Sequence, residues 1–258
     1  DGKDAVIRNL TFKIDTGFNR NYWGFEQKGN RSLGAPKTGG GGGGRRMMDE
    51  EAGAGANEDD KEFTGRDVLP GKYKLIVTVG NQKDSVWVEV KDDPRLPSKN
   101  EVVLAQDGAL EKLQPAVNKY NAAMDLIDDA DLVLTGLKAE WKDKKDKGVD
   151  TLNKAHKVIV EKIKELRAFM MGKKQEKQGY GTVPVITPAG TIRNASMLIV
   201  GKNSLPGEQE QIAIQNAITA ANEIAAKVNA FIEKDWADFR KLVEANPVKK
   251  FKEVELIK

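Results

Sequence analysis

The hydrophobic period of this chain changes once, at Asp93-Pro94-Arg95. Before that point apolar residues alternate one by one, as in strands; after it they recur every three or four residues, as in helices. The two periods cannot share one layer, so the switch predicts an α+β chain of two modules: an antiparallel β-sandwich over 1–95 and an antiparallel three-helix bundle over 99–258. The 258 residues are enough for two domains of ordinary size, each with its own core.

In the first module Tyr73, Leu75, Val77 and Val79 alternate with Lys74, Ile76 and Thr78. Gly80-Asn81-Gln82 then supplies a turn, and Val86, Val88 and Val90 resume the alternation, which predicts a hairpin with one buried face. Pro70-Gly71 starts its first strand sharply, because proline presets φ and glycine accepts positive φ. Leu10, Phe12 and Ile14 share one parity and predict another strand. Asn19 to Phe25, with Tyr22, Trp23 and Phe25, predicts a third whose aromatic rings lie in the core. Asp1-Gly2 has the form of a hairpin turn, implying a strand ahead of Asp1 that pairs with Ile7 to Ile14. Between the strands, near 34–64, six glycines (Gly39 to Gly44), Arg45-Arg46 and an acidic, alanine-rich and glycine-rich stretch hold few apolar side chains to offset ordering entropy. That stretch reads as a flexible insertion. A phosphate-cradling loop would need a following helix opened by Lys-Ser or Lys-Thr, which is missing.

In the second module Leu110, Leu113, Val117, Tyr120, Met124 and Ile127 form one helical stripe, continued after a slip by Leu134, Leu137 and Trp141. Pro115 lies within it, so this helix starts or bends there. Lys142 to Gly148 breaks the pattern, and Leu152, Ile159, Ile163, Leu166 and Met170 mark a second helix ending before Gly172. The third follows Pro206-Gly207, carries Ile214, Ile218, Ala221, Ala225, Val228, Ile232, Phe239 and Leu242, and stops near Asn246-Pro247. The crossover linker, 173–206, is too long for an idle connection; its patch Met197-Leu198-Ile199-Val200 is expected to pack on the bundle as a short helix near Thr191 to Val200. The tail Val254 to Ile257 is expected to return to the β half as an edge strand.

Chemistry is sparse in this sequence. There is no cysteine, which removes disulfides, thiolate nucleophiles and thiolate metal sites together. With 42 basic and 39 acidic residues interleaved, no basic stripe marks a nucleic-acid surface, and no apolar run approaches the ~18 residues of a membrane span. His156 is the only histidine, so any triad or histidine metal site would depend on it alone, and it sits beside a helix stripe. Asp125, Asp128, Asp129 and Asp131 are dense in carboxylate, yet Val133 and Leu134 occupy places that an EF-hand loop needs for ligands. Glu58, Asp59, Asp60 and Asp92 supply carboxylates for glycoside hydrolysis without fixing the spacing it requires. Gly201-Lys202-Asn203-Ser204 lacks the upstream glycine of a P-loop, since Ser196 stands there. Tyr22, Trp23 and Trp87 could stack on sugars if they faced outward. The reading is therefore a non-enzymatic chain with no catalytic, cofactor or metal residues to name.

An ordered series of short motifs adds to this. Asp1-Gly2-Lys3 with Arg8 and Leu10, Gly17-Phe18-Asn19-Arg20 leading to Trp23, Leu69-Pro70-Gly71-Lys72-Tyr73 and Asp93-Pro94-Arg95 together resemble the C-terminal region of bacterial sortilin-like β-propeller proteins, also described as BNR-repeat or glycosyl-hydrolase-like. The sandwich is also similar to the Ig-like domain of the flagellar hook-capping protein, so an Ig-like or fibronectin-III-like sandwich is expected. The likeness covers roughly residues 1 to 98; Gly24 departs from it, standing where the family carries an aspartate. The resemblance implies an exported parent, periplasmic or at the cell surface, with a β-propeller upstream. It implies an accessory region that supports the propeller or contacts another exported protein. A carbohydrate-binding module is the alternative.

Overall fold

The computed structural model describes residues 5–37, 63–91, 95, 100–142, 147–173 and 185–247. The chain divides into two compact units, Asp1–Gly108 with Lys202–Leu205, and Ala109–Gly201 with Pro206–Lys258. The dividing line falls inside a helix.

Among the described residues the first unit holds two separate two-stranded antiparallel sheets. β1 (Glu26–Gly29) pairs with β2 (Phe63–Asp67), with an irregularity between Glu26 and Lys28. A Cβ on Gly65 would lie 2.7 Å from the Gln27 carbonyl oxygen, so the close crossing of β2 over β1 requires glycine. β3 (Gly71–Val79) and β4 (Gln82–Val90) pair over nine residues each, from Gly71↔Val90 to Val79↔Gln82. Gly80, at φ 57°, takes the first turn position and Asn81 keeps an ordinary φ, the glycine-first two-residue turn whose twist suits a hairpin. The segment before β1 runs beside the sheet without joining it: Lys28 N–H donates to the Ile7 carbonyl at 2.7 Å, and Arg8 Nη1 to the Phe63 carbonyl at 2.6 Å. Trp23 donates its ring N–H to the Glu26 carbonyl at 2.9 Å and packs against Phe25 and edge-on to Tyr73. Phe25 itself adopts φ 63°, a strained value for a large side chain, with its carbonyl accepting from Val68 N–H.

This corrects the expected Ig-like sandwich. No side chain among the described residues of 5–91 is fully buried, so there is no inter-sheet core. The segments around Leu10 to Ile14 and Asn19 to Phe25 form no ladder; the strand begins only at Glu26, and Tyr22 and Phe25 are exposed rather than in a core. Alternation fixes which side a residue faces, but a strand also needs a backbone partner for its N–H and C=O groups, and the sequence does not name one. The proposed turn at Asp1-Gly2, the glycine run and the tail strand at Val254 to Ile257 lie outside the described residues.

The second unit is helical. α1 (Asn100–Trp141) runs through Pro115, whose side chain is exposed; its turns up to Gly108 belong to the first unit, where Asp107 pairs with Arg66. From Ala109 onward it buries Leu113, Val117, Tyr120, Ile127, Leu134 and Trp141, a stripe at helical spacing. α2 (Lys147–Met171) buries Leu152, Ile159, Ile163 and Met170, and ends where Gly172, at φ 86°, donates to the Ala168 carbonyl. α3 (Pro188–Val200) opens with Pro188 after Thr187, whose hydroxyl accepts from Gly190 N–H at 3.0 Å. α4 (Glu208–Ala230) continues without a break through a π-helical turn, Phe231–Trp236, into α5 (Ala237–Ala245). The wider turn keeps Phe231, Trp236 and Phe239 in one aromatic row.

Among the described residues the bundle therefore has four helical rods, not three. The fourth comes from the crossover linker, where the short helix expected near Thr191 to Val200 is present as α3: it buries Ala189, Ile192, Ala195 and Ile199 and packs along α4, while Met197 and Val200 of the expected patch stay exposed. Small alanines at the contact let the two axes approach, which is why a helix of only 13 residues suffices. Together with the missing sandwich, this replaces the expected sandwich and three-helix bundle by a mostly helical chain carrying two small sheets.

Candidate functional site: the β3–β4 hairpin surface

Polar groups inside the bundle are explained by packing. His156, buried, sets its Nε2 3.0 Å from the Leu134 carbonyl and meets Trp141 edge-on, so the single histidine ties α2 to α1. Arg167 bridges Asp128 and Asp131 at 2.8 and 3.0 Å, which places two carboxylates of the aspartate-rich stretch in an ion pair between helices. Lys162 pairs with Asp235 of the π turn, and Lys227 lies 4.7 Å over the Phe169 ring. Burial pushes the Tyr120 hydroxyl above its usual pKa, and neighbouring Asp128 adds to that while Arg193 opposes it. Glu210 accepts from Gly207 N–H at 2.7 Å, closing the start of α4. Lys202 of the P-loop-like stretch lends its carbonyl to Gln106 Nε2 at 2.7 Å. Among the described residues no group of three or more His, Asp or Glu side chains could hold a metal ion. Glu58, Asp59, Asp60 and Asp92 lie outside them.

The hairpin is different. The register puts Tyr73, Leu75, Val77 and Val79 on one face with Val88, Val86, Asp84 and Gln82, and puts Lys74, Ile76 and Thr78 on the other with Trp87, Ser85 and Lys83. Tyr73, Val88 and Val90 at its base are half-buried. From Leu75 outward cover ends: Val77 is 52% exposed, Val86 55%, and Trp87 58%, with Leu75, Ile76 and Val79 also exposed. Val77, Val79, Gln82, Lys83 and Asp84 line a shallow open depression near the turn. On the opposite face Lys74 Nζ sits 6.0 Å over the Trp87 ring.

No family model, curated protein or solved structure matches this chain. Function must be argued from surfaces.

Of the three aromatic residues considered for sugar stacking, Trp23 is held by Phe25, Tyr73 and the Glu26 carbonyl, while Tyr22 (67% exposed) and Trp87 face outward. Trp87 stands on the face opposite Val86, and the Val86 face, which the alternation predicted to be buried, is open. Ile76 and Trp87 were the signal for a hairpin apolar on both faces: an ordinary half-buried hairpin would carry polar residues at those positions.

Proposed function

We propose that this chain is a non-enzymatic accessory region of a larger exported β-propeller protein, and that it works by protein–protein contact through the β3–β4 hairpin. One observation carries the reading: a contiguous set of large apolar side chains, Leu75, Val77, Val79 and Val86 with Ile76 and Trp87 behind, stands exposed on a two-stranded sheet. Contiguous apolar surface of this kind marks a binding site, because water contact costs about 25 cal/mol for each Å² left uncovered. The motif series of Gly17 to Trp23 and Leu69 to Tyr73 supports an upstream propeller as the partner and an exported location. The test is capture of the separately produced propeller by this chain. Val77→Asp should abolish it without loss of helical circular dichroism. Hydrolysis of a peptide or polysaccharide by the chain alone would refute the non-enzymatic reading.

A second reading is favoured by the outward faces of Tyr22 and Trp87: a carbohydrate-binding module. Quenching of tryptophan fluorescence by a glycan, lost in Trp87→Ala, would establish it in place of the first.

A further inference from the structure

From the chemistry of β4 we infer that its open edge pairs with β4 of a second copy of this chain, antiparallel, with Val86 on the two-fold axis. The inference rests on the reading of the hairpin as a protein-contact surface, and it names one of the partners.

The backbone comes first. Val79↔Gln82 closes a two-residue turn and is therefore a hydrogen-bonded pair, so Asp84, Val86, Val88 and Val90 also bond inward to β3. Lys83, Ser85, Trp87 and Glu89 then direct their N–H and C=O groups away from β3, where no strand lies among the described residues. Ser85 bears this out: its N–H donates to its neighbour's carboxylate, Asp84 Oδ1, at 2.7 Å.

Register follows from three requirements. A continuous apolar face demands that residues of like parity oppose each other, because a one-residue slip would set Val86 against the polar side. With Val86 on the axis all nine residues of β4 overlap, and Ser85 faces the partner's Trp87, with the outward hydrogen-bonding groups of each meeting those of the other. In that register Lys83 stands opposite the partner's Glu89, an attractive pair that the two-fold axis repeats. Moving the axis to Trp87 would instead oppose Lys83 to the partner's Lys91, and moving it to Ser85 would remove the ion pairs. The register that satisfies the backbone also satisfies the charges.

The other edge lacks this match. β3 has no carboxylate, and its outward positions include Lys72 and Lys74, the kind of lysines that guard an edge against pairing. On β4 the competing contacts are weak: Glu89 approaches Lys91 at 3.6 Å with both side chains largely exposed, and the Asp84 carboxylate on Ser85 N–H is a local substitute that a partner's carbonyl can displace. Pairing would join two hairpins into one four-stranded sheet and double the apolar face offered to a further partner.

Sedimentation equilibrium of the chain across a wide concentration range should show monomers and dimers in exchange. Lys83→Glu and Glu89→Lys should each weaken the dimer about tenfold, by turning two attractive contacts into two repulsive ones. Because Glu89 also lies across from Lys72 within the hairpin, the decisive sample is an equimolar mixture of the two variants. There the opposed charges are complementary again and a heterodimer should return to wild-type strength. Hydrogen exchange should slow with concentration at the amides of Lys83, Ser85, Trp87 and Glu89. A chain that stays monomeric to about 1 mM, a dimer indifferent to both substitutions, or variants that fail to recombine would each overturn self-pairing. Propeller capture by such a monomer would leave the contact function standing, whereas a dimer that captures no propeller would sink that function and keep the pairing.

Discussion

Ile192 decides whether α3 is a structural rod or a decorated linker. Its side chain is 1% exposed, on a 13-residue helix whose other face carries Met197 at 62%. Replacing Ile192 by Ala removes three carbons from the contact. At about 0.8 kcal/mol per buried CH₂ the transfer loss is about 2.4 kcal/mol, and a cavity beside α4 that closes only partly raises the cost to about 3 kcal/mol. For a unit of this size each kcal/mol lowers the melting temperature by about 2–4 °C, so a fall of about 6–12 °C is expected in helical circular dichroism. Met197→Ala on the same helix should stay within about 0.5 kcal/mol, since it leaves the contact with α4 unchanged. Equal and small effects at the two positions would refute the four-rod bundle and return 185–201 to the status of a connection.

Two further substitutions probe each unit by its own physics. Gly65→Ala would drive a methyl group against the Gln27 and Lys28 carbonyls, so β1 and β2 should separate locally, read as faster exchange of the Val68 amide, which donates to the Phe25 carbonyl across the end of the pair, while the bundle melts unchanged. Tyr120, whose pKa burial raises above 10, contributes stability that is complete below pH 10, its unfolded value, and is lost as pH climbs through the folded value. Denaturant midpoints measured between neutral and alkaline pH should therefore fall more steeply in the wild type than in Tyr120→Phe.

What could be read from the sequence was set by how local each determinant is. Helices close their hydrogen bonds within themselves, so the stripes of Leu113 to Trp141, Leu152 to Met170 and Ile214 to Phe239 carried most of what was needed to locate three rods. The β3–β4 hairpin was legible for the same reason, its partner being only a two-residue turn away. β1 and β2 were not: their partners are separated by more than thirty residues, and neither EQKG nor FTGRD alternates in hydrophobicity. α3 was underestimated because half its contacts use alanine, which contributes little to an apolar stripe but permits close helix approach. At the candidate site, parity set Tyr73, Leu75, Val77 and Val79 apart from Lys74, Ile76 and Thr78 as the register does, whereas burial depended on whether anything covers that face, a property of the rest of the molecule.

That distinction bears on how the hairpin is held together. The bundle buries a set of large apolar side chains completely, among them Leu113, Ile127, Leu134, Leu152 and Ile224, whereas the described residues of 5–91 bury none completely. A lone two-stranded hairpin is marginally stable in water, and independent stability takes a third strand or a surface packed on its apolar face. Covering strand and covering surface are the things that β4 pairing and propeller contact would supply. Binding and local folding of this element are then one equilibrium: whatever binds the ordered hairpin stabilises it by mass action, in proportion to the logarithm of its concentration over its dissociation constant. The inward amides of Val86 and Val88, which report opening of β3 from β4, should accordingly gain protection when partner is added, although no partner group touches them. If those amides keep the same exchange rate while the outward amides of Ser85 and Trp87 slow, the hairpin is already stable alone and its exposed face has a purpose other than completing its own fold.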